Sequence, residues 1–243
     1  MVNFKIVVPA YNSIKWIEKC LDSIKAQTYK NYNVCVVDDL SSDGQRDVVA
    51  DYCKKNNWIS VLNNERMFTL FNIQLGIESH KCNDDDVIVM VDGDDWLYDE
   101  NVLEKVNKAY DNDIYLTYGQ YVGTSGNDSK YFCFKPDQNI IDRKLYRKVP
   151  WLFTHLKTFK YKLFKCIRKQ HFIDRDGKYF KTTSDLAIMF PMVEMCGNKF
   201  QCLNDILYVY NEDNPISDFR SQKAEQARVD GVIRHFPVYP TIV

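Results

Sequence analysis

The sequence predicts an α/β protein with an open, mostly parallel central sheet flanked by helices, followed by a smaller C-terminal part. Short β-rich runs alternate with helical patterns through the first 112 residues, which is typical of βαβ units. The run at 86–91 is almost wholly apolar, as expected for a central strand covered on both faces. Beyond residue 112 the runs become shorter and are separated by Gly, Asn and Asp.

The first half is expected to hold four strands and three helices in alternation. After the first strand, apolar residues recur at helical spacing from Ile14 to Ile24, and Ser13 stands at the expected N-cap position. The expected strands span 4–10, 32–39, 58–63 and 86–91, and the expected helices span 14–27, 43–55 and 67–79.

The second half is expected to be less regular and to end in a helix. A stretch rich in aromatic and basic residues lies at its centre, at 151–167. The expected strand-like runs are 114–123, 130–135 and 207–215, and the expected helices are 184–196 and 219–234. Because no repeat or low-complexity linker interrupts the chain, we expect a single domain over 1–243 with two halves, 1–112 and 113–243.

Composition excludes several classes of protein. The 243 residues are 45% apolar, which is enough for a substantial core, and the 32 Lys and Arg nearly balance the 33 Asp and Glu. A formal charge of −1 offers no broad positive field, so nucleic acid is not an expected partner.

The chain also carries no pattern typical of secretion or of a membrane protein. No apolar run approaches the ~20 residues that cross a bilayer, and the N-terminus lacks the basic and apolar progression of a signal peptide. The eight cysteines fall at irregular spacings without a CxxC pair, which favours reduced thiols. We therefore expect a cytoplasmic protein without a transmembrane segment.

Two acidic clusters follow predicted strands, at 38–39 and in the tetrad DGDD at 92–95. Ligands of open α/β sheets gather beyond the carboxyl ends of the strands, so one crevice can hold both clusters. Adjacent carboxylates repel unless water or a cation screens them. Asp92 and Asp94 are two residues apart, and Gly93 removes side-chain bulk, so one Mg²⁺ or Mn²⁺ ion can be shared with a diphosphate. A solvated acidic turn is the other interpretation of the tetrad alone.

Four stretches of the chain, taken together, are more specific than the tetrad. They are VVPAYNS (7–13), SIKAQTYKNYNVCVVDDLSSDG (23–44), VMVDGDDWLYDENVL (89–103) and TTSDLAIMFP (182–191). In order and spacing they resemble the family 2 glycosyltransferases, which have the GT-A fold with a Rossmann-like sheet. The resemblance implies that 1–112 binds a nucleotide-sugar donor, with UDP-sugars favoured, and that 113–243 faces a glycan or other hydroxyl acceptor.

The resemblance also implies roles for individual residues on the donor side. Pro9, Ala10 and Tyr11 stand where the family surrounds the base and ribose of the donor. Asp39 stands where a carboxylate accepts a hydrogen bond from uracil, and Asp92 matches the carboxylate near the ribose.

For the metal and its surroundings the resemblance leaves alternatives open. Asp94 matches the ligand of a Mn²⁺ or Mg²⁺ ion, and Asp95 either supports that ligand or is itself the ligand. Trp96 either walls the sugar pocket or packs in the core. Arg66 stands where some members place a cation near the donor, although an ordinary surface arginine fits the sequence equally well.

Asp185 stands where inverting members carry the catalytic base, and Ser184 replaces the Glu that usually precedes it. The alternative for Asp185 is a carboxylate that only stabilises the N-terminus of its helix through the helix dipole. His155, Lys157 and Lys160 either hold the leaving diphosphate or belong to a solvated basic face.

Two other classes remain as alternatives to a metal-dependent, inverting transferase. A sugar-nucleotide nucleotidyltransferase normally has a Gly-rich, basic phosphate loop after the first strand, and VVPAYNSIKW (7–16) contains none. A catalytically inactive sugar-nucleotide-binding module would share the fold. Retention of both acidic clusters and of Asp185 argues against that module, because binding alone needs no base.

Overall fold

The strands of the protein belong to one sheet. The computed structural model describes residues 1–125, 133–216 and 222–243, and within these ranges it contains eight strands. They are β1 (Phe4–Ala10), β2 (Tyr32–Asp38), β3 (Ile59–Leu62), β4 (Val87–Met90), β5 (Trp96–Leu97), β6 (Leu116–Gly123), β7 (Lys157–Lys160) and β8 (Phe200–Tyr210).

Helices cover both faces of this sheet. They are α1 (Ile17–Lys25), α2 (Gln45–Asn56), α3 (Phe68–Ser79), α4 (Val102–Tyr110), α5 (Gln138–Asp142), α6 (Tyr161–Phe164), α7 (Ser184–Cys196) and α8 (Lys223–Arg234), with 3-10 turns at Leu145–Lys148 and Lys169–His171. The α/β class predicted from the sequence is confirmed.

The sheet has the order β3-β2-β1-β4-β7-β6-β8-β5 and is mixed, although most of the pairings between its described strands are parallel. The strands β1 to β4 are parallel to one another, as predicted. The antiparallel pairings come from β5, which pairs with β8, and from β7, which runs antiparallel to both β4 and β6 and joins the two halves. The prediction missed this strand because its sequence, KTFK, contains two lysines, and the buried Lys157 gives it no apolar alternation.

β1 is buried along its whole length because both of its faces are covered. Val7 packs in one core cluster with Ile73 and Ile77 of α3. Ile6 and Val8 face the opposite cluster, which includes residues of α1. This double coverage fixes the carboxyl end of β1, where the site described below begins.

The close packing of α3 on β1 depends on Gly76. A Cβ atom at this position would lie 2.5 Å from Cγ1 of Val7. We expect Gly76→Ala to lower the free energy of unfolding by about 1–3 kcal/mol, as overpacked cores do, measured by urea denaturation. Gly231→Ala in α8 is the matched control, because no atom lies within 4 Å of the place where its methyl group would stand and a helical alanine is favoured. Equal stability of the Gly76 variant and the parent would contradict this packing.

Several predicted boundaries need correction. Ser13 is not the N-cap of α1, since the helix begins at Ile17 after Trp16, and the Ser13 hydroxyl instead donates to Gln45 Oε1 at 2.6 Å. β8 begins at Phe200, before the expected residue 207.

The expected run at 130–135 lies partly outside the described residues, and its described part, 133–135, is not a strand. The first residues of the expected helix at 219–234 also lie outside the described ranges, and α8 is described from Lys223.

The structure also bears on the expected reduced thiols and on the expected lack of a transmembrane segment. All eight cysteines lie within the described residues, and each is a free thiol. Within the same residues, no helix is long and apolar enough to cross a bilayer.

Candidate active site

A cleft of about 1040 Å³ lies where the carboxyl ends of β1, β2 and β4 meet the end of β8 and the start of α7. Most of the residues singled out in the sequence line it. These are Pro9, Ala10, Tyr11, Asp39, Arg66, Asp92, Asp94, Asp95, His155 and Asp185. Its volume is at the upper end for a small-molecule site, which leaves room for two substrates.

Asp39 stands at one end of the cleft and is almost fully buried. Its carboxylate accepts hydrogen bonds from the side chains of Asn63 (3.1 Å) and Arg66 and from the backbone N–H groups of Met67 (2.7 Å) and Phe68 (2.9 Å). The carboxylate therefore also fixes the entry into α3, and a ligand that donates to it must join or replace one of these groups.

Arg66 and Tyr11 form the wall beside Asp39. The guanidinium carbon of Arg66 lies 3.3 Å from the ring centroid of Tyr11, which is a close cation–π contact. The sequence left Arg66 open between a surface residue and a group near the donor, and the structure brings it into the cleft.

Asp38 has a different position from Asp39, although the two are adjacent. Its buried carboxylate accepts hydrogen bonds from Ser41 N (3.0 Å), Gln45 Nε2 (2.7 Å) and Arg46 (3.0 Å). It holds the turn after β2 and does not line the cleft.

Gly93 allows the acidic turn to dock on β1. A Cβ atom there would lie 2.5 Å from Cβ of Ala10, and the Gly93 N–H donates to the Pro9 carbonyl at 3.0 Å. Only a residue without a side chain permits this approach. Gly93 thus brings the acidic residues against the residues predicted to surround the nucleotide.

The carboxylates of the acidic turn lie close together and are poorly solvated. Burial raises the pKa of Asp94. Burial, together with the charges of Asp94 and Asp92, raises the pKa of Asp95 well above its usual range. Asp94 accepts from Asn214 Nδ2 at 2.7 Å, and Asp95 accepts from the backbone N–H of Asn211 at 2.7 Å. A cation would relieve this crowding of negative charge.

His155 faces the acidic turn from the segment before β7. Its ring stacks on Tyr208 with centroids 4.4 Å apart and an angle of 10° between the planes. The Nδ1 atom is buried and has no hydrogen-bond partner among the described residues. Burial, and then the charge of Lys157, lowers the pKa of His155 to about 3, so the imidazole is neutral at physiological pH.

These residues fit a divalent metal. Three possible ligand atoms lie within 4.8 Å of one another, one each from Asp92, Asp95 and His155. Two carboxylate oxygens and one imidazole nitrogen are a donor set that suits Mn²⁺. One ring nitrogen of His155 belongs to this set, and the buried Nδ1 atom has no hydrogen-bond partner among the described residues.

Asp185 is held by a buried lysine. Lys157 is 1% exposed, and its Nζ donates to Asp185 Oδ1 at 2.6 Å. Burial alone would raise the pKa of Asp185, but the charge and hydrogen bond of Lys157 outweigh it, so the pKa lies below its usual value. Asp185 is the second residue of α7, which begins at Ser184. Its carboxylate is therefore ionised and oriented inside the cleft.

Trp96 and Lys160 do not line the cleft. Trp96 lies in β5, with Lys19 Nζ 3.4 Å from its ring centroid. Lys160 pairs with Asp85 at 3.2 Å and stands opposite Val87, at the start of β4 rather than at its carboxyl end.

Sequence reasoning missed several residues that line the cleft from the second half. They include Tyr121, Trp151, Tyr210, Asn214, Gln226 and Asp230. Only the segment 211–214 could have been recognised from the sequence as part of a site, because the polar run NEDN directly follows the predicted strand residues LYVY. The others come from separate elements whose meeting depends on the tertiary fold.

The fold and the cleft define an α/β protein with the GT-A type of fold. Among solved structures, S. aureus TarS 1–349 in complex with UDP-GlcNAc has a TM-score of 0.67 at 20% identity, covering 97% of this chain and 73% of that one. Mannosyltransferase PcManGT from Pyrobaculum calidifontis, in complex with GDP-Man and Mn²⁺, has a TM-score of 0.62 at 20% identity, covering 98% and 66%. At this identity the likeness concerns the fold.

Sequence comparison gives the family. The pattern of "Glycosyl transferase family 2" matches residues 5–168, which is more than half of the chain. Glycosyltransferase GlyG of Streptococcus pneumoniae serotype 4 is 26% identical over 214 residues, covering 84% of this chain and 69% of GlyG. The chain spans only 23% and 31% of the length of two other curated relatives that it matches. This protein belongs to glycosyl transferase family 2, and it is a glycosyltransferase.

Proposed function

We propose that the chain transfers a sugar from a UDP-sugar to a hydroxyl group of an acceptor, with inversion at the anomeric carbon and with the help of Mn²⁺ or Mg²⁺. One observation carries the proposal: Asp39, the acidic turn at 92–95 and Asp185 face a single cleft. The proposal assigns the nucleotide to Asp39, the diphosphate to the acidic turn and the role of base to Asp185.

The nucleotide end favours uracil over cytosine. Asp39 is an acceptor, and uracil offers an imide N–H where cytosine offers only a ring nitrogen acceptor. Tyr11, Pro9 and Ala10 line the same cleft as Asp39. TarS, which has the same fold, was solved with UDP-GlcNAc.

We infer that a divalent cation is held by the acidic turn together with His155. Bound there, it would neutralise the charge that develops on the departing diphosphate. The predicted ligands Asp94 and Asp95 both line the cleft, and the converging ligand atoms belong to Asp92, Asp95 and His155. PcManGT was solved in complex with GDP-Man and Mn²⁺.

Asp185 supplies the base for the acceptor. As the acceptor oxygen forms its bond to the anomeric carbon, the bond from that carbon to the diphosphate oxygen breaks and UDP leaves. The acceptor proton passes to the Asp185 carboxylate. Attack opposite the leaving group inverts the anomeric configuration, and the low pKa of Asp185 keeps the carboxylate in its proton-accepting form.

The proposal is tested by incubating the protein with a panel of nucleotide sugars and Mn²⁺ while following release of the nucleoside diphosphate. UDP-sugars should be cleaved at least about tenfold faster than CDP-sugars, since a lost hydrogen bond to a charged group costs about 1.5–3 kcal/mol. NMR of the transfer product from an α-linked donor should show a β-linkage. Equal use of CDP- and UDP-sugars would contradict the role of Asp39, and an α-linked product would contradict inversion.

A further inference from the structure

Next to Asp185 the cleft has a wall to which the proposed function assigns no donor contact. This wall consists of Trp151, Leu186 and residues of α8. Leu186 directly follows Asp185, and Trp151 packs on Phe190 of the same helix, α7, so the wall adjoins the base that an acceptor hydroxyl must reach.

One face of α8 is turned toward the cleft. Lys223, Gln226, Ala227 and Asp230 line the cleft and recur at the spacing of a single helix face. The neighbouring face is fixed, because Val229 and Ile233 are buried in the core. The helix therefore presents polar side chains to the cleft from a rigid position.

Asp230 is anchored in that wall. Arg234 Nε donates to both of its carboxylate oxygens, at 2.9 and 3.0 Å. The same guanidinium donates to the carbonyls of Arg147 and Val149, each at 2.9 Å. The Asp230 side chain remains 38% exposed, so its oxygens keep lone pairs that can accept hydrogen bonds from a ligand.

Trp151 supplies a fixed apolar surface beside these polar groups. Its ring packs edge-on against Phe153 (5.5 Å, 77°) and Phe190 (5.4 Å, 86°). An aromatic ring of fixed orientation next to anchored hydrogen-bond acceptors suits a sugar, which has apolar C–H faces and donating hydroxyls.

The charges along this half of the cleft oppose an anionic acceptor. Among the described residues that line it, Asp185, Glu212 and Asp230 are acidic and Lys223 is basic. Lys157 and Arg234, which pair with Asp185 and Asp230, do not themselves line the cleft. The charged groups that an acceptor phosphate or carboxylate would contact there are therefore mostly carboxylates.

We propose that Trp151 and the cleft-facing side of α8 form the acceptor subsite, and that this subsite binds a neutral, hydroxyl-rich sugar residue. The sugar packs its apolar face on Trp151 and donates hydroxyls to Asp230 and Gln226. The inference rests on the proposed function, since it uses Asp185 as the base.

The test measures initial rates with a saturating UDP-sugar and varied acceptor, using neutral methyl glycosides and disaccharides on one side and glycerol phosphate on the other. Donor hydrolysis is measured in parallel, because water as acceptor does not need the subsite. Trp151→Ala and Asp230→Asn should each raise the KM for the neutral acceptor at least about fivefold, the scale of one lost contact, and leave donor hydrolysis and donor KM unchanged.

Glu225→Gln is the matched control on α8, since Glu225 pairs with Arg228 and does not line the cleft. Asp230→Asn retains shape and keeps the test valid if Trp151→Ala folds poorly. Unchanged acceptor KM in both variants, or a preference for glycerol phosphate, would overturn the inference while donor hydrolysis still supports the proposed function. A parent protein that hydrolyses no UDP-sugar would overturn both.

Discussion

Replacing Asp185 by asparagine should lower the rate of sugar transfer about 10²–10⁴-fold, the usual contribution of a positioned general base. Asparagine keeps nearly the same shape but cannot accept a proton. Binding of UDP and of Mn²⁺ should stay close to the parent values, because the proposal gives Asp185 no contact with either and Asp185 is not part of the candidate metal cluster. The measurement is kcat with a saturating UDP-sugar and a saturating acceptor.

The ion pair with Lys157 complicates this substitution. Lys157 is buried, so removing its counter-charge leaves an ammonium group with a neutral partner. Breaking a fully buried pair costs about 3–5 kcal/mol, and less is expected here because the Asp185 side chain is 36% exposed. A slow enzyme could then result from local distortion instead of a lost base.

A double-mutant cycle separates these two causes. Lys157→Gln with Asp185→Asn removes both charges together, which should recover stability that the single Asp185→Asn variant loses. If Asp185 is the base, the double variant remains as slow as Asp185→Asn. If Asp185 only holds the fold, the double variant recovers turnover with stability, and that result would contradict the catalytic role.

The pH dependence of kcat tests the role of Asp185 independently of the double-mutant cycle. A carboxylate whose pKa is lower in the folded state than its unfolded value of about 3.9 is ionised and stabilises the fold at any pH above about 3.9. As the pH falls through the folded-state pKa, the carboxylate loses its charge and the fold loses that stabilisation. In the parent, the acid limb of kcat should therefore lie below the ordinary carboxylate range. In Lys157→Gln, burial of Asp185 is no longer opposed by a cation, so the limb should move to higher pH.

The parts of the site that the sequence predicted are those encoded by short, continuous segments. Asp39 and the turn at 92–95 directly follow apolar strands, and the parallel pairing of β1 with β2 and β4 brings their ends to one edge. Strand ends of a parallel sheet share an edge whatever the rest of the chain does. Their convergence therefore needs little tertiary information.

The parts that the sequence did not predict depend on contacts between distant segments. Lys157 was expected to bind diphosphate or to be solvated, yet it is buried against Asp185, 28 residues further along the chain. Its role follows from β7, which inserts between β4 and β6. His155 is a second example, because its ring stacks on Tyr208 of β8, and its buried Nδ1 atom has no hydrogen-bond partner among the described residues. Residue patterns carry no signal for such pairs.

His155→Phe should weaken Mn²⁺ binding at least about 10–100-fold, because losing even a group that supports a metal ligand has an effect of this size. Phenylalanine retains a flat ring that can stack on Tyr208 and removes the Nδ1 lone pair. Since the pKa of His155 is lowered to about 3, protons do not compete with a metal for this nitrogen at neutral pH. The measurement is calorimetric titration of Mn²⁺ with saturating UDP, which needs no turnover.

His171→Phe is the matched control for His155→Phe. His171 also stacks on an aromatic ring, Phe236, at 4.7 Å, and its Nδ1 atom is also buried without a hydrogen-bond partner among the described residues, but it does not line the cleft. The His171→Phe variant should therefore leave Mn²⁺ affinity unchanged, while its change in packing is similar to that of His155→Phe. If both variants bind Mn²⁺ as the parent does, His155 is not a ligand. Asp92→Asn, Asp94→Asn and Asp95→Asn, titrated in the same way, then rank the three carboxylates, because losing a ligand should lower Mn²⁺ affinity more than losing a group that only supports one.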